Sequence, residues 1–201
     1  MVSLIGPHNS GKSHLLSSLF GCNIAWKEKR TLGITMSLAR LKVQGEMKNI
    51  VVLDTEGTQK AKGVKNFDVR LIFYIMCVSH VVLLCNKGQM NSKIFDTVKL
   101  AIDSMINAKQ NIVAKPQVYV VLTQLAHIKE NTNEQCVRRL KYAIEEYREQ
   151  KEMSEHNLNR LIEISEHSVF PMEVAFSVRT FGPTEISRKQ QLNHTLWSFS
   201  E

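Results

Sequence analysis

Apolar runs of strand length recur along this chain, and segments with helical spacing of apolar residues lie between them. Val2–Ile5, His80–Cys85 and Val118–Leu122 each read as a short buried strand. Strands without a polar face are typical of a parallel sheet that helices cover on both sides. Helices are predicted over Ser13–Phe20, Asp68–Val78, Ile94–Ile106, Glu134–Met153 and Lys189–Phe199. The alternation of the two element types therefore favours an α/β fold.

One pair of runs departs from this pattern. Met36–Val43 alternates apolar and polar residues, as a half-exposed strand does, and Asn49–Leu53 follows as an apolar strand. Gly45 and Glu46 stand between them and predict a tight turn, which makes the two runs an antiparallel hairpin. A last β-rich run, Val169–Val178, lies closer to the end of the chain. We therefore expect a mostly parallel sheet with one antiparallel strand.

A phosphate-binding motif lies directly after the first predicted strand. Residues 6–13 read Gly-Pro-His-Asn-Ser-Gly-Lys-Ser, which is the pattern G-x-x-x-x-G-K-[ST]. Its glycines let the backbone approach a polyphosphate closely, and the next helix directs its N-terminus at the same anion. Lys12 is expected to bind the β- and γ-phosphates, and the Ser13 hydroxyl to ligate Mg²⁺. The nucleotide-binding residues expected here are Gly6, Asn9, Ser10, Gly11, Lys12, Ser13 and His14.

A second motif, Asp-Thr-Glu-Gly, follows the third predicted strand at residues 54–57. A carboxylate at the end of a buried strand beside a phosphate loop can hold Mg²⁺, usually through water. Asp54 therefore joins Ser13 as a candidate metal ligand. The backbone N–H of Gly57 is expected to contact a γ-phosphate. The two motifs together predict a bound nucleoside triphosphate with Mg²⁺.

A polar connection between these motifs carries two threonines. Thr31 and Thr35 lie just before the second strand, where a hydroxyl and a carbonyl can close over Mg²⁺ and the γ-phosphate. Thr31 is the first candidate for this metal ligand, and Thr35 is the alternative. A loop held only in the triphosphate state acts as a switch.

These three segments resemble the GTPase domain of the dynamin superfamily. The Asp-Thr-Glu-Gly box and the Thr31-x-Gly33-Ile34 segment are similar to those of the guanylate-binding protein and atlastin branch, and most of all to the interferon-inducible very large GTPases. The resemblance implies a three-layer P-loop NTPase fold of the G-domain type, with helices on both faces of the sheet. It also implies GTP or GDP with Mg²⁺, a catalytic role for Lys12 and Thr31, and self-association or protein partners.

In that family the phosphate-loop domain is embedded in a far longer chain. We therefore expect residues 1–201 to form a single G-type nucleotide-binding domain, which leaves open that it is cut from a larger protein. The similarity is good as far as about residue 124 and thin beyond residue 148.

The sequence departs from the GTPase pattern at the expected guanine-recognition motif. An Asn/Thr-Lys-x-Asp segment normally follows the fifth strand, whereas Thr123 and Gln124 stand there with no acidic residue after them. These two residues are the candidates for contacts to the base, and an amide such as that of Gln124 can bind either guanine or adenine. Asn86–Gln89 has a similar composition, but it follows the fourth strand and also lacks the aspartate.

The residues expected to accelerate hydrolysis are missing. Guanylate-binding proteins carry an arginine in the phosphate loop where Asn9 stands, and such arginines accelerate hydrolysis by about 10³–10⁵-fold. Thr58, rather than a water-orienting glutamine, directly follows Gly57. We therefore expect weak or no intrinsic GTP hydrolysis. The alternative is a non-enzymatic G-fold subunit of a multiprotein complex, as in the nonsense-mediated decay kinase complex, that holds a structural nucleotide with either base.

Composition narrows the remaining possibilities. The formal net charge is +7, but no Lys/Arg block concentrates it, so a nucleic-acid partner is not expected. The longest apolar stretch, Leu71–Cys85, is interrupted and shorter than the roughly 20 residues of a membrane span. The cysteines form no C-x-x-C pair and no ligand spacing with histidine, which favours reduced thiols in a cytoplasmic protein and no zinc site. They are Cys22, Cys77, Cys85 and Cys136.

Overall fold

The protein is built around one mixed sheet. Its structure is a computed structural model that describes residues 1–22, 31–43, 45–58, 65–88, 91–107, 116–123, 133–154 and 169–172. The strands within these ranges are β1 (Val2–Ile5), β2 (Ile34–Val43), β3 (Glu46–Thr55), β4 (Val81–Lys87), β5 (Gln117–Thr123) and β6 (Val169–Met172). The helices are α1 (Lys12–Phe20), α2 (Lys65–Val78), α3 (Ser92–Asn107) and α4 (Asn133–Gln150).

The strand order is β2-β3-β1-β4-β5-β6. β2 runs antiparallel to β3, and all other neighbouring pairs are parallel. The predicted α/β fold, with a mostly parallel sheet and one antiparallel strand, is confirmed. After β1 the chain adds β3 on one side of it and β4 on the other, so the strand order reverses at the carboxyl end of β1. Ligands of open α/β sheets bind at such a point.

Helices cover both faces of the sheet because successive strand residues point in opposite directions. Leu4 of β1 packs with the buried side chains of α1, whereas its neighbour Ile5 packs on the other face with α2, α3 and α4. The same alternation holds in β4, where Val82 and Leu83 join different clusters. Both faces are thus apolar, which explains why the central strands show no polar alternation.

The hairpin of β2 and β3 is longer than the apolar pattern predicts. Val43 pairs with Glu46, so the predicted turn at Gly45 and Glu46 is wrong by one residue, since Glu46 already belongs to β3. Gly45 has a φ of +90°, a left-handed conformation that glycine adopts without strain. Backbone pairing extends the strands over exposed polar residues because a ladder requires no apolar side chain. The predicted helix Lys189–Phe199 lies outside the described residues.

No helix in the described ranges is both long enough and apolar enough to cross a bilayer. All four cysteines are free thiols, and three of them, Cys22, Cys85 and Cys136, are buried.

Candidate functional site

The phosphate loop lies between β1 and α1, at the carboxyl end of β1. Its first glycine, Gly6, packs so tightly on β4 that a Cβ atom there would lie 2.0 Å from the carbonyl oxygen of Cys85. Asn9 and Gly11 have φ values of 60° and 85°, which turn the chain into α1. The N-cap residue of α1, Gly11, makes no side-chain hydrogen bond to the first turn, and helix N-termini of this kind bind anions. His14 lies in that turn and is half-buried.

Lys12 lies beneath the loop and bridges its first two residues. Its Nζ atom donates hydrogen bonds to the carbonyl oxygens of Gly6, at 3.0 Å, and Pro7, at 2.8 Å. Burial lowers the pKa of Lys12, and the nearby Asp54 carboxylate acts in the opposite direction. Backbone oxygens of the loop thus hold the ammonium group that the motif assigns to phosphate binding.

The loop is also anchored from the sheet through the carbonyl oxygen of Ser10. Thr123 Oγ1 donates to this oxygen at 2.9 Å and contacts the carbonyl oxygen of Asn86 at 3.2 Å. Cys85 Sγ donates to the same Ser10 oxygen at 3.1 Å. Burial raises the pKa of Cys85 to about 11, so the thiol keeps the proton it donates. The strand ends of β4 and β5 therefore hold the phosphate loop in place.

Thr123 contacts the phosphate loop through its hydroxyl. It is buried, and both of its contacts are backbone oxygens. The role expected for it in base recognition is not what these contacts provide. Its partner in that expectation, Gln124, lies outside the described residues. No local sequence pattern indicates this supporting role, because the contacts of Thr123 and Cys85 to Ser10 join residues that lie far apart in the chain.

Thr123→Val is expected to lower the free energy of unfolding by about 1–3 kcal/mol, because the loop carbonyl loses a buried donor. Thr123→Ser, which keeps the hydroxyl, is the matched control and is expected to remain near the wild type. Chemical denaturation of both variants measures this difference. A change in the preference between GTP and ATP at unchanged stability would instead indicate that Thr123 contacts the base.

The three candidate metal ligands lie together at the end of β3. Asp54 Oδ2 accepts hydrogen bonds from Ser13 Oγ, at 2.6 Å, and from Thr31 Oγ1, at 2.9 Å. The two hydroxyl oxygens are 3.4 Å apart. Thr35, the alternative to Thr31, is an exposed residue of β2 whose backbone pairs with Asp54. The structure therefore brings Thr31, and not Thr35, to the other two ligands.

This set fits Mg²⁺. Asp54 is fully buried, and its second oxygen, Oδ1, has no hydrogen-bond partner among the described residues. Buried carboxylate oxygens are rarely left unpaired, and hard oxygen donors are those that Mg²⁺ prefers. Ser13, Thr31 and Asp54 would hold the ion, which when bound neutralises charge on the phosphates. In the described ranges no group of three or more His, Cys, Asp or Glu residues lies close enough to bind a metal.

The Asp-Thr-Glu-Gly box continues directly onto the phosphate loop. A Cβ atom on Gly57 would lie 2.5 Å from the Cα atom of His8, so only glycine fits this approach. Thr58 donates its N–H to the carbonyl oxygen of Gly6 at 3.0 Å and forms an isolated parallel β-bridge with Pro7. Its hydroxyl is buried and has no partner among the described residues. The box and the loop thus pack directly against each other.

A family model described as "50S ribosome-binding GTPase" matches residues 1–163. The chain belongs to this GTPase family. The predicted GTPase domain is thereby confirmed, and membership implies binding of a guanine nucleotide, with Mg²⁺ typical of such proteins. The narrower assignment to the dynamin superfamily stays a prediction.

Two individual proteins resemble this GTPase. A stretch of 93 residues is 33% identical to the Protein SEY1 homolog of Theileria annulata, and it covers 42% of this chain and 10% of that protein. The chain thus spans about a tenth of that relative. The crystal structure of a dimerization-deficient mutant of Toc33 from Arabidopsis thaliana superposes with a TM-score of 0.58. It is 18% identical and covers 97% of this chain and 81% of Toc33, which supports the same fold.

Proposed function

We propose that this GTPase is a Mg²⁺-dependent guanine-nucleotide switch, with weak or no intrinsic hydrolysis, that controls self-association. The observation that carries the proposal is the convergence of Ser13, Thr31 and Asp54 beside the phosphate loop. Thr31 belongs to a segment outside the loop, so its metal contact makes that segment sensitive to the nucleotide. The Asp-Thr-Glu-Gly box supports assignment to the very large GTPase and guanylate-binding protein branch. The four free thiols support a location in the cytoplasm.

Weak hydrolysis is supported by what surrounds the expected γ-phosphate position. Asn9 is exposed and neutral where related enzymes carry an arginine. Thr58, which stands where other GTPases orient water with glutamine, has its hydroxyl buried against the loop. Neither side chain supplies the positive charge or the water contact that accelerates phosphoryl transfer.

The nucleotide that the protein carries after purification tests the base. We expect mass spectrometry of the heat-released ligand to find GDP or GTP. Titrations should show that GTP binds more tightly than ATP and that GTP binding requires Mg²⁺. GTP turnover is expected to be slow. Recovery of ADP or ATP alone would contradict the guanine proposal and would favour the alternative of a structural adenine nucleotide.

Support for self-association comes from an apolar stripe on β2, formed by Ile34, Met36 and Leu38. Met36 and Leu38 are each 71% exposed, and Leu32, directly after Thr31, is 75% exposed. Exposed apolar patches of this kind mark interaction surfaces. The stripe begins three residues after a metal ligand, so its position would depend on the nucleotide.

A second copy of the chain is the occupant that we propose for this stripe. In the described part of the chain, β2 is an edge strand with one neighbour, β3, and edge strands pair readily with another chain. Antiparallel pairing of two copies about Met36 places Ile34 opposite Leu38 and Thr35 opposite Ser37, so no like charges meet between residues 34 and 38. The fold relative Toc33 is described through its dimerization, which agrees with an association of this kind.

Met36→Lys is expected to abolish self-association because it places a charge at the centre of the pairing, opposite itself. Light scattering after gel filtration, with a non-hydrolysable GTP analogue or GDP, measures this. Tyr142→Lys, at an α4 residue that is 73% exposed, is the matched control and should associate as the wild type does. A wild-type protein that stays monomeric with both nucleotides would refute the proposed dimer.

A further inference from the structure

Two hydrogen bonds join the Asp-Thr-Glu-Gly box to the segment that carries Thr31. Glu56 donates its backbone N–H to the carbonyl oxygen of Gly33 at 2.7 Å. Gly33 donates its own N–H to the side-chain oxygen Oε2 of Glu56 at 3.1 Å. These bonds lie one residue beyond the pair Ile34 and Thr55, which is the last pair of the β2–β3 ladder. The Glu56 carboxylate therefore accepts the bond that a backbone carbonyl would accept in a continuing ladder.

The chain turns at Gly33, the residue whose N–H the Glu56 carboxylate accepts. Gly33 has a φ of +64°, a left-handed conformation that ends the strand direction and leads back to Thr31. Thr31 then reaches Asp54 Oδ2 at 2.9 Å. Glu56 is only 7% exposed, and a hydrogen bond to a buried charged acceptor is stronger than one between neutral groups.

We propose that Glu56 is a positioning residue that keeps the Thr31–Gly33 segment closed over the metal ligands. The proposal rests on the function proposed above, because Thr31 matters only if Mg²⁺ and a triphosphate bind there. Glu56 acts through the backbone of Gly33 and not on a reacting atom. The segment therefore remains near its ligand-binding position even when no γ-phosphate is bound. Nucleotide binding then has to order fewer residues than it would without the Glu56 contact.

Loss of this contact should affect the two nucleotides differently. A triphosphate with Mg²⁺ uses the closed segment. Its apparent affinity is therefore the intrinsic affinity multiplied by the fraction of molecules in which the segment is closed. A diphosphate makes no γ-phosphate contact and has less need of the closed segment. Because Glu56→Ala removes a buried, charge-assisted hydrogen bond, we expect the affinity for the triphosphate to fall about tenfold. The affinity for GDP should stay within about twofold of the wild type.

Glu56→Ala and Glu56→Gln test this in the full chain. Titration with a non-hydrolysable GTP analogue and with GDP, both with Mg²⁺, gives the two affinities. Glu56→Gln keeps an oxygen acceptor of the same shape and should restore most of the lost affinity. Glu149→Ala, which removes an exposed carboxylate of α4, controls for the change in charge. Amide hydrogen exchange of the nucleotide-free protein should become faster at residues 31–35 in Glu56→Ala and stay unchanged in the phosphate loop.

Three outcomes would overturn the proposal. Equal losses for the triphosphate and GDP would indicate a general structural role. An impairment of Glu56→Gln as large as that of Glu56→Ala would indicate that the charge itself acts on Mg²⁺ or water. Unchanged amide exchange at residues 31–35 would show that the contact does not hold the segment. A wild type that binds neither nucleotide would contradict the proposed function, while the exchange experiment would still decide on Glu56.

Discussion

Lys12→Ala is expected to weaken binding of Mg²⁺–GTP by at least about a hundredfold, which makes it the most damaging substitution for function. The ammonium group is held at the loop by the carbonyl oxygens of Gly6 and Pro7. It can therefore meet phosphate oxygens without moving far, and each charge-assisted hydrogen bond contributes about 1.5–3 kcal/mol. Fluorescence titration with a labelled guanine nucleotide measures the loss.

Lys48→Ala is the matched control for this experiment. Lys48 is an exposed residue of β3, so its removal changes the net charge equally without touching the phosphate loop. Thermal unfolding of both variants shows whether Lys12→Ala remains folded. A folded Lys12→Ala protein that binds the nucleotide as tightly as Lys48→Ala would refute the assignment of residues 6–13 as the phosphate-binding loop.

Gly6→Ala is expected to have the largest effect on stability. A Cβ atom at this position would lie 2.0 Å from the carbonyl oxygen of Cys85 and 3.0 Å from its carbonyl carbon. Both atoms belong to the backbone of β4, so no side-chain rotation relieves the overlap, and β1 and β4 would have to separate. We expect a loss of about 3 kcal/mol or more in the free energy of unfolding. For a domain of this size this corresponds to a fall of about 6–12 °C in the melting temperature.

Gly45→Ala separates this overlap from the conformational preference of glycine. Gly45 has a φ of +90°, but nothing lies within 4 Å of the Cβ position. Its substitution should cost only about 1–2 kcal/mol, which is the strain of a left-handed alanine. Differential scanning calorimetry compares the two variants. If Gly6→Ala melts at the same temperature as Gly45→Ala, close packing against β4 is not what requires glycine in the loop.

The fold followed from the sequence wherever burial decided the pattern. The buried runs around β1, β4 and β5 occupy adjacent positions in the sheet, and the phosphate loop follows β1 as expected. Strand bounds were less predictable. The ladder of β2 and β3 continues over exposed residues from Glu46 to Asn49, because backbone hydrogen bonds do not depend on side-chain polarity.

Some residues of the candidate site could likewise be predicted from the sequence, and others could not. Ser13 and Asp54 could be placed from the motifs, since each motif fixes a backbone geometry as well as a residue type. Thr31 could be proposed only with Thr35 as an alternative, because the choice depends on where β2 begins. The supporting contacts of Thr123 and Cys85 join residues distant in the chain, and no local pattern encodes them.

The helix α1 takes part in both the proposed nucleotide site and the hydrophobic core. Its first turn faces the proposed nucleotide, and its buried residues, such as Leu16 and Phe20, pack on the sheet face opposite α2, α3 and α4. Among the described helices it is the one that packs on that face. Nucleotide affinity and folding are therefore linked, and a ligand at a hundred times its dissociation constant adds about 2.7 kcal/mol of stability. Depletion of guanine nucleotide in a cell would then shorten the lifetime of the protein, so that its abundance would follow the supply of its own ligand.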